Sequence, residues 1–241
     1  MKFYRRWQRP DVVSFDLDDT LYDNVPVMLA AEADCAAFIR ELAAAELPEL
    51  ASWQRAEWQA RRQQLLHADP HLAANMSELR RQTILRNLVA LGMSATTAKD
   101  IADAALARFI TQRSKIQVPE SSFALLQALR PHYHVIAISN GNVDLPQTPL
   151  DGYFDLVLQP HAEQRGKPFG DMFEAAQQAF PKLTPAQFLH VGDHPISDIL
   201  GAHRAGWQSA WFTGGLGHAD ELKVLPNCSF DTHAQLQALL A

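Results

Sequence analysis

The residues VVSFDL, positions 12 to 17, form a short apolar run with the β-branched enrichment of a strand buried on both faces. A strand of that length is not stable alone, so its partners must come from further along the chain. They do not come soon, because from about Pro26 to Lys115 the strand signal vanishes. Met28, Ala31, Cys35, Phe38 and Leu42 fall at helical spacing, as do Ile84, Leu88 and Leu91, and then Ile101, Ala105 and Phe109; the intervening WQRAEWQARRQQLLH is rich in helix formers. The pattern predicts roughly four helices and no strand in this region.

After Val118-Pro119 helix and strand alternate. ESSFALLQALR reads as a helix, YHVIAIS and FDLVLQ as strands, GDMFEAAQQAF as a helix, FLHVGD as a strand, the stretch from about Ile196 to Ala205 as a helix, and WQSAWF as a strand. Such alternation predicts a parallel sheet covered by helices on both faces, and VVSFDL must join it. The expected class is α/β: a Rossmann-like parallel sheet core, residues 1–21 and 116–241, interrupted by an all-α insertion over 22–115.

The formal net charge of -6 predicts no general attraction to nucleic acid or an anionic membrane, so any affinity for phosphate must come from a local site. No apolar run approaches the about 18 residues of a membrane span. The apolar segment after the basic MKFYRRWQRP is too short, and too soon interrupted by Asp16, to be a signal peptide. Cys35 and Cys228 show no CxxC spacing and read as free thiols in a reducing compartment. A soluble cytoplasmic protein is the expectation.

In open parallel sheets, ligands bind outside the carboxyl ends of the strands. The residues there are Asp16, Asp18 and Asp19 after the first strand, Ser139, Asn140 and Gly141 after the second, and Asp193 with Asp198 after FLHVG; Lys167 stands in the loop RGKPFG before a helix. One acid at a strand end is unremarkable, but several acids, a hydroxyl and a lysine together make a site. The ordered set FDLDDT, ISNG, GKP and VGDHPISD resembles the four motifs of the haloacid dehalogenase superfamily, and the helical insertion between the first two resembles that family's cap.

The chemistry stands beside the resemblance. A phosphate monoester is dianionic, so a carboxylate nucleophile can approach it only where a cation and fixed donors neutralise the charge. Asp16 is the candidate nucleophile, forming an aspartyl-phosphate that divides one hard hydrolysis into two easier steps. Asp18, two residues on and pointing to the same side, can protonate the leaving alcohol and then activate water. Mg²⁺ is the expected metal, since it prefers oxygen ligands and binds through one or two carboxylates plus substrate phosphate. The resemblance implies that Asp16 and Asp193 supply carboxylate oxygens and Asp18 its backbone carbonyl, with Asp198 acting from behind the ligands or capping the next helix. Ser139 would donate to the phosphoryl oxygens with the Asn140 amide assisting, and Lys167 offers a positive charge to both Asp16 and the phosphoryl group. Asp19 is expected to order the turn, His194 to face solvent or the substrate mouth, and His190 to be a satisfied core histidine.

The acid at position 18 discriminates within the superfamily. Dehalogenases lack it and need no metal, because they protonate no alcohol, so Asp18 argues for a phosphatase, with a sugar phosphomutase as the alternative. A non-enzymatic phospho-acceptor switch of the receiver type is a second alternative, against which stand the D-x-D pair on one strand and the large insertion. FDLDDTLYDN, together with the N-terminal MKFYR and the GKPF loop, resembles a bacterial subfamily of phosphatases. These act on the phosphoribitylamino-pyrimidine intermediate of riboflavin synthesis and on flavin mononucleotide. The loop KPFGDMF departs from the family's usual acid and second proline. Substrate choice is expected in the cap, whose Trp53, Trp58, Arg61, Arg62, Arg80, Arg81 and Arg86 are candidates for contact or simple solvated surface.

Overall fold

A computed structural model describes residues 1–52 and 55–240; Trp53 lies outside them. The chain divides into two compact units, one comprising Val25–Lys115 and Asn142–Gln147, the other Met1–Asn24, Ile116–Gly141 and Thr148–Ala241.

The first unit is helical: α1 (Val25–Ala43), α2 (Arg55–Ala68), α3 (Met76–Ala90) and α4 (Ala95–Arg113), with short 3-10 turns at Pro48–Ser52 and Pro70–Ala74. Two starts are fixed by side chains, since Asn75 Oδ1 accepts from Glu78 N at 3.0 Å and Ser94 Oγ from Thr97 N at 3.1 Å. The core joins Ala31, Cys35 and Ile39 of α1, Ile84 and Leu88 of α3, and Ala98, Ile101, Ala102, Ala105 and Phe109 of α4. The alanines let α1 and α4 approach closely. Of the arginines, Arg80 lies 3.5 Å from the Phe109 ring centroid and Arg81 forks onto Glu78 at 2.7 and 2.8 Å. The segment Asn142–Gln147, expected in the α/β core, groups instead with the helices: Asn142 Nδ2 donates to Ser77 Oγ at 2.9 Å and Asp144 N to Ser114 Oγ at 2.9 Å.

The second unit holds a seven-stranded sheet of β1 (Lys2–Phe3), β2 (Val12–Phe15), β3 (His134–Ile138), β4 (Leu156–Leu158), β5 (Phe188–Gly192), β6 (Gln208–Phe212) and β7 (Cys228–Phe230), in the order β1-β7-β6-β5-β2-β3-β4. All neighbours are parallel except β1 against β7. The helices are α5 (Glu120–Leu129), α6 (Asp171–Ala179), α7 (Gly201–Arg204) and α8 (His233–Leu240). β2 thus finds its partners, β3 and β5, more than a hundred residues downstream. The fold is the expected α/β class, with β1, β7 and α8 added. The two strands are too short for alternation to show in sequence. The helix expected from about Ile196 begins as a π-type turn, Pro195–Leu200, before α7. None of the described helices is long and apolar enough to cross a membrane.

Register places the site. Val12 lies opposite Phe188 and Ser14 opposite His190. With side chains alternating along a strand, Val12, Ser14 and Asp16 share a face with Phe188 and His190. That face is covered by α6 and α7 through a cluster of Phe173, Phe188 and Trp207, in which the Phe188 and Trp207 rings stack at 4.4 Å. Phe188→Ala should cost about 3–5 kcal/mol of unfolding free energy, read by urea denaturation; a loss below about 1 kcal/mol would show that this cluster does not hold the sheet to its helices.

Candidate active site

The acidic loop begins where β2 ends. Asp16 is 8% exposed, and its N–H donates to the Val191 carbonyl at 2.8 Å, so it still lies along β5. The chain then turns on itself: the Leu17 carbonyl accepts from Leu21 N at 2.9 Å, and Asp19 adopts φ 58°. Asp tolerates this left-handed conformation because its side chain can bond locally; Asp19 Oδ1 accepts from Asn24 N at 3.0 Å and Asp19 N donates to the Tyr22 carbonyl at 2.8 Å. Asp19 thus orders the turn. Tyr22 is folded back so that its hydroxyl donates to Asp18 Oδ1 at 2.6 Å. From outside, the turn's carbonyls are held by Ser122 Oγ on Leu21 O at 2.6 Å and His233 Nε2 on Thr20 O at 2.8 Å. Burial holds the His233 imidazole below its ordinary value, and Thr20 O can only accept, so the Nε2 proton is the one donated.

At the centre stands Lys167. Its ammonium, 4% exposed as a residue, donates to Asp16 Oδ1 at 2.8 Å and to Asp198 Oδ1 at 2.7 Å, with His190 Nε2 at 3.3 Å. The loop carrying it is clamped by Asn140, whose Oδ1 accepts from Lys167 N at 2.6 Å and whose Nδ2 donates to Lys167 O at 2.8 Å. One positive charge is shared by two buried carboxylates. Burial works against the ionised form of Asp198, but Lys167 and His190 outweigh it and hold Asp198 below the usual carboxylate range. Asp16 carries the remainder: burial, opposed by Lys167 and reinforced by the charges of Asp198 and Asp18, raises it well above its ordinary value.

Asp193 is 4% exposed and follows β5 directly. Its Oδ2 accepts from Leu216 N at 2.8 Å and its Oδ1 from Thr20 Oγ1 at 3.4 Å, while its carbonyl accepts from Trp211 Nε1 at 2.7 Å. Among the described residues no lysine or arginine pairs with it, and burial, then the charge of Asp198, pushes its carboxyl up to about 6. Oxygen atoms of Asp16, Asp193 and Asp198 lie within 4.8 Å of one another. Three buried carboxylates against one ammonium leave an excess of negative charge that a divalent, oxygen-preferring cation fits. Close backbone approach makes this packing possible. A Cβ on Gly192 would lie 2.3 Å from Asp198 Cγ, and one on Gly215 would lie 2.3 Å from Asp193 Cβ.

The strand ends therefore bring Asp16, Lys167, Asp193 and Asp198 together, with Asp18 near enough to act on Asp16. Ser139, 1% exposed at the end of β3, accepts from Gly141 N at 3.1 Å; among the described residues it is not hydrogen-bonded to Asp16 or Lys167. The Asn140 side chain holds the Lys167 backbone. His194 is exposed and caps the next turn, its Nδ1 accepting from Ile196 N at 3.1 Å and Ser197 N at 3.2 Å. Asp198 Oδ2 accepts from His194 N at 2.8 Å, so it braces this turn while holding Lys167. Sequence reading missed Thr20, Tyr22 and the loop around Leu216. The last had a signal, three glycines in four positions, Gly214, Gly215 and Gly217, just after β6.

His190 is a buried core histidine as expected, yet one side faces Ser14 Oγ at 2.9 Å and the other the Lys167–Asp198 pair. Burial and then Lys167 push its imidazole down to about 4 from 6.5, so the folded state excludes a proton that the unfolded chain binds. Its contribution to stability is complete above the unfolded value and is lost as pH falls from 6.5 towards about 4. In the metal-free protein, His190→Gln should change the difference in unfolding free energy between pH 7 and pH 5 by about 2 kcal/mol in favour of pH 5. Urea unfolding at both pH values measures it; an unchanged difference would contradict a neutral, proton-excluding His190.

Comparison with known proteins agrees with this geometry. The family model described as haloacid dehalogenase-like hydrolase matches residues 10–206. The chain is 34% identical over 243 residues, covering 100% of both chains, to the 5-amino-6-(5-phospho-D-ribitylamino)uracil phosphatase YigB of Escherichia coli strain K12. It is 29% identical to the phosphoserine phosphatase of Thermus thermophilus, over 85% of this chain and 89% of that one. Among solved structures, the 2-haloacid dehalogenase from Pseudomonas syringae pv. tomato DC3000 superposes with a TM-score of 0.82 at 30% identity, covering 96% of this chain and 98% of that chain. The chain belongs to the haloacid dehalogenase-like hydrolase family and is an enzyme of its phosphatase kind.

Proposed function

We propose that this phosphatase hydrolyses the phosphate ester of a small metabolite through an aspartyl-phosphate on Asp16, with Mg²⁺ as its metal. The observation that carries the reading is the buried Lys167 ammonium, 2.8 Å from Asp16 Oδ1 at the end of β2, with Asp18 two residues on. A carboxylate oxygen of Asp16 attacks phosphorus as the bond to the alcohol oxygen breaks, and Asp18 gives that oxygen its proton. Asp18 then takes a proton from the water that attacks phosphorus; the bond to Asp16 breaks, phosphate leaves, and both carboxyl groups are restored. Lys167 keeps Asp16 aligned and offers positive charge to the phosphoryl oxygens, which the Ser139 hydroxyl and the Asn140 backbone N–H also serve. The carboxylates of Asp16 and Asp193 and the carbonyl of Asp18 would hold Mg²⁺, which supplies Lewis-acid neutralisation of phosphoryl charge when bound. Asp198 serves by holding Lys167. All these residues belong to the α/β unit, which we take as the catalytic core.

The substrate we propose is 5-amino-6-(5-phospho-D-ribitylamino)uracil, with flavin mononucleotide as a further ester of the same ribityl type. The full-length similarity to the Escherichia coli phosphatase of that name supports it. The chemistry of the leaving group agrees, because a ribityl alcohol is a poor leaving group that needs a proton from an acid such as Asp18. The likeness to a dehalogenase does not favour halide chemistry, which has no alcohol to protonate. Buried free thiols at Cys35 and Cys228 support a reducing, cytoplasmic setting.

Ranking kcat/KM over a panel of phosphorylated metabolites, with Mg²⁺, should place ribityl phosphates first. EDTA should abolish turnover, and Asp16→Asn should lower it at least about a thousandfold. Near-normal turnover in either case would exclude the mechanism, and preference for an unrelated phosphate ester would exclude the substrate.

A further inference from the structure

Tyr22 has no place in the reaction above, yet its hydroxyl makes one of the shortest contacts at the site. The residue is 2% exposed, and its phenol donates to Asp18 Oδ1 at 2.6 Å. A buried phenol needs a polar partner, and this one finds it on the half-buried carboxyl assigned to proton transfer. The arrangement is built rather than incidental. Asp19 at φ 58° reverses the chain, Asp19 N bonds Tyr22 O, and Asp18 and Tyr22 form an isolated parallel bridge. Ser122 of α5 and His233 of α8 then pin the intervening carbonyls of Leu21 and Thr20. Two helices far away in sequence thus fix the ring that fixes Asp18.

We infer that Tyr22 is the positioning residue for the general acid-base Asp18: with its carboxyl oriented by the phenol, the proton passes between Asp18 and the leaving oxygen. The inference rests on the phosphatase reading above. The phenol keeps its own proton throughout, and Asp18 alone exchanges one with the alcohol and the water.

Leaving-group selectivity tests this without depending on how much of a variant is active. For the Mg²⁺-loaded wild type, Tyr22→Phe and Asp18→Asn, kcat/KM is measured on 4-nitrophenyl phosphate, whose phenolate leaves without help, and on a simple alkyl phosphate, whose alkoxide does not. Partial unfolding lowers both values together and leaves their ratio where it was. Tyr22→Phe should raise the aryl-to-alkyl ratio about tenfold, and Asp18→Asn should raise it further. If Asp18→Asn moves the ratio and Tyr22→Phe does not, the role of Tyr22 is overturned and that of Asp18 stands. If Asp18→Asn leaves the ratio unchanged, the assignment of Asp18 as the acid falls, and the inference with it.

Discussion

Lys167 brings one positive charge into a space where Asp16, Asp198 and Asp193 are all buried, and the arrangement of the site follows from how that charge is divided. Taking an ammonium and a carboxylate out of water costs several kcal/mol each, recovered only with close geometry and full hydrogen bonding. Here Asp198 receives that treatment: Lys167 and His190 meet one oxygen and the His194 amide the other. Asp16 receives part of it, and among the described residues the donors to Asp193 are the neutral Leu216 N–H and Thr20 hydroxyl. The imbalance stabilises nothing by itself, and it leaves the protein suited to a divalent cation whose positive charge offsets the surplus carboxylates.

The surroundings serve to hold that imbalance in place. β2, between β3 and β5, carries Asp16 on the face that Ser14 and His190 also occupy, so the lysine meets an acid and an imidazole from adjacent strands. The turn after β2 is held on its outer side by α5 and α8 and on its inner side by Asp19 and Tyr22. Asn140 clamps the Lys167 backbone from the end of β3. These elements of the α/β unit thus constrain the polar groups at the strand ends, and the apolar cluster of Phe173, Phe188 and Trp207 keeps the sheet and its helices from shifting beneath them.

Much of this was legible in the sequence because the residues that carry charge sit just after strands, where a parallel sheet gathers its ligands. Asp16, Asp18, Ser139, Asp193 and Asp198 could be named from that rule, Lys167 from its loop before a helix in the company of the others, and the helical insertion from its periodicity. Contacts set by an unusual backbone conformation or by distant segments were not legible. Nothing near Tyr22 marks it as the partner of Asp18, since that contact depends on one left-handed residue, Asp19. His190 reads as core because it is core; only strand register brings its second nitrogen to Lys167. The reach of Asn140 to the Lys167 backbone and the pairing of two-residue β1 with β7 likewise depend on tertiary folding rather than on any local pattern.

The central claim is that Asp16 itself becomes phosphorylated. Rapid acid quench of the Mg²⁺-loaded enzyme during turnover, followed by proteolysis and mass analysis, tests it most directly. The account predicts a hydroxylamine-labile phosphoryl group on the peptide carrying Asp16, formed and lost at rates compatible with turnover and missing in Asp16→Asn. Phosphate on another residue, or turnover with no phosphoenzyme at any quench time, would contradict it.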